Sequence, residues 1–575
     1  MKYILLLFLV LAGSQLQSQT YITNVAVADV ALQKILPGMT VVIDKELITA
    51  IQPVNKIKIP AGATVIDGSG KYLLPGLTDA HIHFFQNGGL YTRPDVIDLQ
   101  KYIPHHKELS YAHQQMEKVL RRYLRQGITQ VIDVGSSYSF LEQANNFRGK
   151  DFAPEISITG PLLTTYEPAI YKNTGNESPF TLIQSAQDAV EGVRKQLPYK
   201  PDFIKIWFIT TEDELGVEAS ARKNLPMVKA AIDEAHKHHL KVAIHTTQRI
   251  AAQLAVESGA DFLVHSVEDE VVDKDFIQLL KKNNIIYSPT LIVHNNYITT
   301  FAQKHRFSNE QLLSSDPYQL GSLSDLQHLS DTLLVNNYKR SSEQMAGYLH
   351  SADSIRAVNL KLLSDAGVII ATGTDAGNIG TLHTSSYISE LQAMSKSGMS
   401  NWQILTASTL NGAKVLGKDK VSGTISVGKQ ADLILLEANP VEKIENITRI
   451  NRVIRKGKVH TPAELLEDTP EDLAQRQLNA YNLKNIDAFL EPYAEEVEIY
   501  QYPDKLLAKG KKQMRGIYEQ MFKSTPDLHC ELTGRIAQGN IVIDKERVRV
   551  NGNFFEAIAI YHIENNKISK VYFIQ

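Results

Sequence analysis

Six side chains in this sequence have the types and spacing to bind metal and act on it: His81, His83, Lys205, His245, His265 and Asp375. His81-Ile82-His83 sets two imidazoles at i and i+2. In a strand such residues point to one face, so both rings can reach one ion. Lys205 stands in the apolar run Phe203-Ile-Lys-Ile-Trp207. A buried ammonium is costly unless it is paired or deprotonated. A neutral amine can take up carbon dioxide, and the resulting carbamate has two oxygens able to bridge two cations. A lysine snorkelling from a strand end, or an ion-paired one, is the competing reading. His245 ends Val242-Ala-Ile-His and His265 ends Phe262-Leu-Val-His. Each alone also suits a satisfied core or rim histidine. Asp375 lies in Ala371-Thr-Gly-Thr-Asp-Ala-Gly377, after Val368-Ile-Ile; an isolated Thr-Asp-Ala-Gly would read as a turn.

These groups need a scaffold that brings them together. The central chain alternates short β-like runs ending in polar residues with helical patterns. Eight runs are read: Gly76–His83, Thr129–Gly135, Glu155–Leu162, Asp202–Phe208, Val242–His245, Phe262–His265, Ile285–Leu291 and Val368–Asp375. Eight β/α units in about 300 residues predict an α/β fold of the TIM-barrel, (β/α)8 kind, with active groups at the C-terminal ends of its strands. All six groups fall at or near those ends, in runs one, four, five, six and eight, so coincidence explains them poorly. Four imidazoles and a carboxylate suit zinc and similar divalent ions. Thr299 to about Arg356 is expected to be a helical insertion over the barrel mouth. Tyr287, Thr290 and His294 after run seven, and His383 after run eight, are candidates to face substrate, and each also fits a structural role.

The flanks read differently. A β-rich stretch, Tyr21 to Ile66, recurs in kind at Gly423–Gly428, Ala431–Leu436 and Arg452–Val459. This predicts a small composite β-sandwich from 20–72 and 417–462, with the barrel, 73–416, inserted in it. A linker is expected at 463–471. From 472 to 575 a helix bearing Leu473, Leu478, Tyr481, Ile486 and Phe489 precedes strands at Val497–Tyr502, His529–Ala537, Asn540–Val550, Asn553–Ile563 and Lys567–Ile574, which predicts an α+β domain. No residue of this tail is read as a catalytic acid, and Cys530, the single cysteine, can form no internal disulfide. At the other end, Lys2, the apolar run Ile4–Ala12 and the small or polar Gly13–Thr20 predict a signal peptide over 1–19. The run is shorter than the roughly 20 residues a bilayer needs. An exported protein, periplasmic or secreted and free of the membrane after cleavage, is expected. A net charge of -3 gives no electrostatic case for nucleic acid.

Residues in this order resemble the amidohydrolase superfamily, in its imidazolonepropionase-like and prolidase-like branch. The motifs are Pro75-Gly-Leu-Thr-Asp-Ala-His-Ile-His83, the Lys205 strand, the two strand-end histidines, Gly373-Thr-Asp-Ala376 and Gly423-Thr-Ile-Ser-Val-Gly-Lys-Gln-Ala-Asp-Leu433. The resemblance implies two divalent metal ions, with zinc expected. His81, His83 and Asp375 would hold the more buried ion, and carbamylated Lys205 would bridge to a second held by His245 and His265. A hydroxide between the ions would attack a carbonyl, and Asp375 would pass its proton to the leaving nitrogen. The implied activity is hydrolysis of a C–N bond in a small amide, dipeptide or cyclic amide. Deaminase members commonly place a Glu where this chain has Gln248, which disfavours deamination. Dipeptidase members often carry an aromatic residue and a Gly where this chain has Thr247 and Ser266, which puts recognition of a dipeptide carboxylate in doubt. The alternatives are a mononuclear deaminase or lactonase, or a non-catalytic metal- or ligand-binding protein whose function lies in the C-terminal module. The tail, 472–575, resembles the SnoaL-like (NTF2-like) cone fold, which implies a homo-oligomer through that domain or an accessory ligand pocket.

Overall fold

The computed structural model describes residues 19–172, 174–210 and 216–574; the expected signal peptide, but for Gln19, lies outside them. Both flanks of the barrel sequence join one eight-stranded sheet. Tyr72–Pro75 pairs antiparallel with Leu433–Leu436, so chain separated by more than 350 residues meets edge to edge. The apolar faces bury Ile22, Val25, Val41, Ile43, Leu433 and Leu435 in a core of their own.

The central strands are parallel and fall in two sheets. Leu77–Ile82, Ile128–Asp133 and Glu155–Ile158 form one. Phe180–Leu182, Leu162–Thr164, Phe203–Trp207, Lys241–His245, Phe262–Val264, Ile286–Ser288 and Ile369–Ile370 form the other, in that order. Backbone bonds cross both seams: Asp202 N donates to Ile158 O at 3.0 Å, and Ala80 N donates to Thr372 O at 2.8 Å. Ala80, Ile132, Phe203, Ala243, Phe262 and Ile286 meet in one buried cluster, so strands of both sheets share an interior.

Three expected strands come out much shorter, among them Ile285–Leu291, which pairs only over Ile286–Ser288. The run Glu155–Leu162 breaks at Thr159-Gly-Pro161, since Pro161 has no N–H to continue a ladder. The Gln196 side chain serves the break instead, accepting from Gly160 N at 3.1 Å and donating to Pro161 O at 2.8 Å. The run Val368–Asp375 keeps regular pairing only at Ile369–Ile370. Asp375 has a φ of +59°, in the left-handed region that a β-strand excludes.

The insertion is helical: Val293–Phe301, Asn309–Ser314 and Pro317–Ser322 precede a 34-residue helix, Thr332–Asp365. The chain beyond 460 does not run as a bare linker. Thr461 and Glu464 form a capping box on Pro462–Leu465. The helix Pro470–Asn482 then packs on Pro317–Ser322. Arg476, buried, donates to Leu312 O at 2.7 Å, to Ser315 O at 3.2 Å and to both oxygens of Asp468. One apolar cluster runs through both regions, joining Leu312, Leu320 and Leu326 to Leu473, Leu478 and Phe489.

The rest of the tail is a six-stranded sheet ordered Lys505–Lys509, Tyr493–Gln501, Lys567–Ile574, Asn553–Glu564, Ile541–Val550, His529–Gln538, with the helix Gly510–Ser524 on it. The strand Lys505–Lys509 is additional to those read from the sequence.

Candidate metal centre

His81 ends the buried strand Leu77–Ile82 and His83 follows it. Their Nε2 atoms lie 3.3 Å apart, and Asp375 Oδ1 is 3.1 Å from the first and 3.0 Å from the second. His83 Nδ1 sits 2.7 Å from Gly135 O, which can only accept, so the ring proton is on Nδ1. In the neutral ring Nε2 is then a bare lone pair aimed at Asp375. Asp375 Oδ1 and His81 Nδ1 are buried without a hydrogen-bond partner. A buried carboxylate oxygen left without a hydrogen-bond partner between two imidazole nitrogens fits a divalent cation well.

Two buried acids hold this arrangement, and sequence reading had missed both. Asp79 accepts from Thr374 N (3.0 Å) and Thr374 Oγ1 (2.7 Å), fixing the residue before Asp375. Asp133 accepts from Phe84 N (2.9 Å) and Gly135 N (3.0 Å), fixing the backbone beside His83 and its carbonyl partner. Burial pushes each of these two carboxyls up to about 7, against the bonds each receives. The signal was available, since an acid inside an apolar strand has to find such donors. Gly373 is required by close approach: a Cβ there would lie 2.5 Å from Ser288 Oγ and 2.7 Å from His81 Cβ.

The other three groups stand alongside. Lys205 lies opposite Ala243, and Trp207 opposite His245, so His245 is one pleat nearer the strand end than Lys205. The His265 ring is 4.3 Å from that of His245 and 4.9 Å from that of His81, centroid to centroid. Thr290 Oγ1 meets His265 Nδ1 at 2.7 Å. His265, Thr290 and Asp375 all have positive φ, a backbone state concentrated at functional sites. Burial holds the imidazoles of His81, His245 and His265 below their ordinary pKa, in the neutral form that coordinates metal. Burial also takes Lys205 down to about 7, with the Asp375 charge opposing it. His81, His83 and Asp375 form one tight group of ligand atoms, all within 4.8 Å of one another. Lys205, His245 and His265 border the same cavity, of about 450 Å³, without joining that group.

Of the residues expected to face substrate, Thr290 and His294 line this cavity, and His294 also meets Arg356. Tyr287 and His383 do not line it. The Tyr287 hydroxyl is taken by Val267 N at 2.7 Å, and His383 is held behind Phe84 by Tyr123 OH and Gln86 O, both at 2.9 Å. Gln248 turns away too, accepting from Thr210 Oγ1 at 2.8 Å.

The C-terminal sheet encloses a second cavity, of about 280 Å³. It holds a buried acid, Glu546, which the sequence reading does not single out. Tyr561 OH donates to Glu546 Oε1 (3.2 Å), Gln477 Nε2 to Tyr561 OH (2.8 Å), and Tyr493 OH to Gln477 Oε1 (3.2 Å). The acid shares the buried phase of its strand with Val542, Asp544 and Val548, a two-residue alternation visible in the sequence.

Comparison with known proteins agrees with this geometry. Residues 72–460 match the model described as the amidohydrolase family, and residues 474–571 match that of the SnoaL-like domain. Imidazolonepropionase of Shouchella clausii is 33% identical over 106 residues, 18% of this chain and 23% of that protein. Enamidase of Eubacterium barkeri is 27% identical over 234 residues, 40% of this chain and 50% of that protein. The chain thus spans half or less of the length of these two relatives. A solved Xaa-Pro dipeptidase with bound methionine in its active site superposes with a TM-score of 0.57 at 21% identity, covering 77% of this chain and all of that one.

Proposed function

The chain belongs to the amidohydrolase family, and from that membership we propose that it is a metal-dependent hydrolase of C–N bonds in small amides, peptides or cyclic amides. The observation that carries this is the convergence of His81, His83 and Asp375 with Asp375 Oδ1 left unpartnered. The relatives named enamidase and Xaa-Pro dipeptidase support the class. We take the two parallel sheets as one closed eight-unit barrel, supported by the bonds across both seams.

Two divalent ions are proposed. His81, His83 and Asp375 would hold one, His245 and His265 the other, and Lys205 as its carbamate would join them. When bound, such ions polarise a carbonyl and lower the pKa of water. The remaining work falls to the chain. Burial opposes ionisation of Asp375, but His81 and His83 outweigh it and hold the carboxyl well below its usual range. As an ionised carboxylate it can accept the proton of an attacking water and deliver it to the leaving nitrogen. Asp79 and Asp133 keep it and His83 in place. Export is proposed on the N-terminal sequence alone.

Elemental analysis tests the two-ion reading. About two divalent ions per chain, falling to one or none in Lys205→Ala together with loss of hydrolysis, is the expected result. One ion in the parent, unchanged in the variant, would return Lys205 to a structural role.

A further inference from the structure

The charges around the mouth of the metal-centre cavity bear on what it admits. Among the described residues lining it, the cationic side chains are Lys205, Arg93 and Arg356. Lys205 lies among the histidines, which leaves two guanidinium groups for a substrate's charge, and both are engaged. Arg93 grips Asp95 with two parallel bonds, Nε to Oδ1 at 2.8 Å and Nη2 to Oδ2 at 2.6 Å. Its Nη1 donates to Asn378 Oδ1 at 2.6 Å and Tyr297 OH at 3.2 Å. Arg356 pairs with Glu268 at 3.1 Å, and also with Asp353. Two cations thus meet three carboxylates; Arg356 Nε lacks a partner but is buried, so neither guanidinium offers a free two-donor fork to a fourth.

Aromatic rings face the same cavity among aliphatic and small polar residues. Phe180 stacks on Trp207 with ring centroids 5.2 Å apart and planes 26° from parallel, on the strand side. Phe301 lies 5.0 Å from Tyr338, on the insertion side. Such walls take flat apolar groups well. A carboxylate drawn between them would lose water and find no unpaired guanidinium in return.

Resting on the hydrolase reading, we propose that this site takes an uncharged aromatic amide or carbamate and rejects free dipeptides, whose α-carboxylate meets only cations already paired with Asp95, Glu268 and Asp353. The acids around the arginines act as the selectivity element, and the aromatic pairs supply the affinity.

A matched pair of probes tests this on the full, metal-loaded chain. N-(4-nitrophenyl)benzamide is uncharged, and its 4-carboxybenzoyl counterpart differs by one carboxylate. Binding is read by quenching of Trp207, in a Trp402→Phe background that leaves one indole, with phenylalanyl-proline as competitor. The neutral probe is expected to bind about a hundredfold tighter than the acid, and the dipeptide to compete weakly. Equal binding, tighter binding of the acid or the dipeptide, or binding of none would overturn the proposal. Turnover is scored separately: a probe that binds and is never cleaved counts against the hydrolase reading and leaves the binding preference standing.

Asp95→Asn frees the Arg93 fork and should raise affinity for the acid probe about tenfold. Because Asp95 also accepts from Tyr171 OH at 2.9 Å, Glu268→Gln serves as an independent variant with the same expected direction. No gain for the acid in either variant would overturn the assignment of selectivity to these carboxylates.

Discussion

Asp375 and Glu546 are both buried carboxyls facing a cavity, one in the central parallel-stranded region and one in the C-terminal domain. Burial disfavours the charge on each, and their neighbours then divide them. Beside Asp375 stand two imidazoles, which hold it ionised. Beside Glu546 stands Asp544, which adds to burial in pushing it up to about 7. The same division runs through the surrounding polar atoms. Among the described residues, the buried side-chain nitrogens and oxygens without a hydrogen-bond partner include Asp375 Oδ1, His81 Nδ1 and Ser288 Oγ, and none belongs to residues 470–574. Around Glu546 the donors and acceptors form an unbroken chain, from Tyr493 through Gln477 and Tyr561 to the carboxyl. One pocket therefore calls for a cation from outside, while the other is satisfied by its own side chains.

The largest effect should come from converting one carboxyl toward the state of the other. Asp375→Asn removes the negative charge at nearly constant shape. It should cut kcat/KM by about a thousandfold and lower the metal content, because it costs both a ligand and a proton acceptor. Equal activity in the variant would place the essential base elsewhere and erase the contrast with Glu546. Next comes the joint between the two regions. Arg476→Met strips donors from Leu312 O, Ser315 O and Asp468. Leaving a buried carboxylate unpaired should destabilise the docked state by about 3 kcal/mol in denaturant unfolding. Pro317–Ser322 reaches the loop after His83 through Ser322 Oγ, which accepts from Leu90 N at 3.1 Å. KM should therefore rise more than kcat falls, and an unchanged KM would mean that the two pockets are independent.

The candidate metal-binding group His81, His83 and Asp375 was legible because its signal is local. Two histidines at i and i+2, and polar residues ending apolar runs, state their own direction once a strand is granted. What lay beyond the sequence was which way a side chain turns when several faces are buried. Tyr287 and His383 are the right residue types near the right strands, yet their polar atoms go to Val267 N and to Tyr123 and Gln86. Asp79 and Asp133 sit in apolar strands, but their donors are supplied by Thr374, Phe84 and Gly135, and for Asp79 these come from nearly 300 residues away. The run Val368–Asp375 reads as β by its Val-Ile-Ile, yet its regular pairing ends at Ile370, and a positive φ then aims Asp375 at the histidines. The composite sheet was readable in outline from its two β-rich stretches, whereas the register joining Pro75 to Leu433 is a property of the folded chain. Glu546 alternates with Val542 and Val548 in the sequence, but only the folded sheet shows that this phase of the strand is the buried one.

The smallest effect is the pH dependence of the C-terminal domain, and its sign follows from Glu546. The carboxyl moves from 4.5 to about 7 on folding, so the folded domain binds its proton more tightly than the unfolded chain does. Its contribution is then fully present below about pH 4.5, falls as pH rises, and is lost above about pH 7. Across pH 5 to pH 8 the loss is about 2 to 3 kcal/mol. Glu546→Gln keeps an oxygen to accept from Tyr561 OH and cannot ionise, so it should remove the slope while preserving the hydrogen-bonded chain. Hydrogen exchange of the strands Ile541–Val550 and Asn553–Glu564, corrected for intrinsic rates, reads this in the full chain at pH 5 and pH 8. Protection should fall across that interval in the parent and stay flat in the variant. The same loss in both would mean that Glu546 is already charged in the folded domain, and that its cavity, like the metal centre, holds an ionised acid in need of a counter-charge.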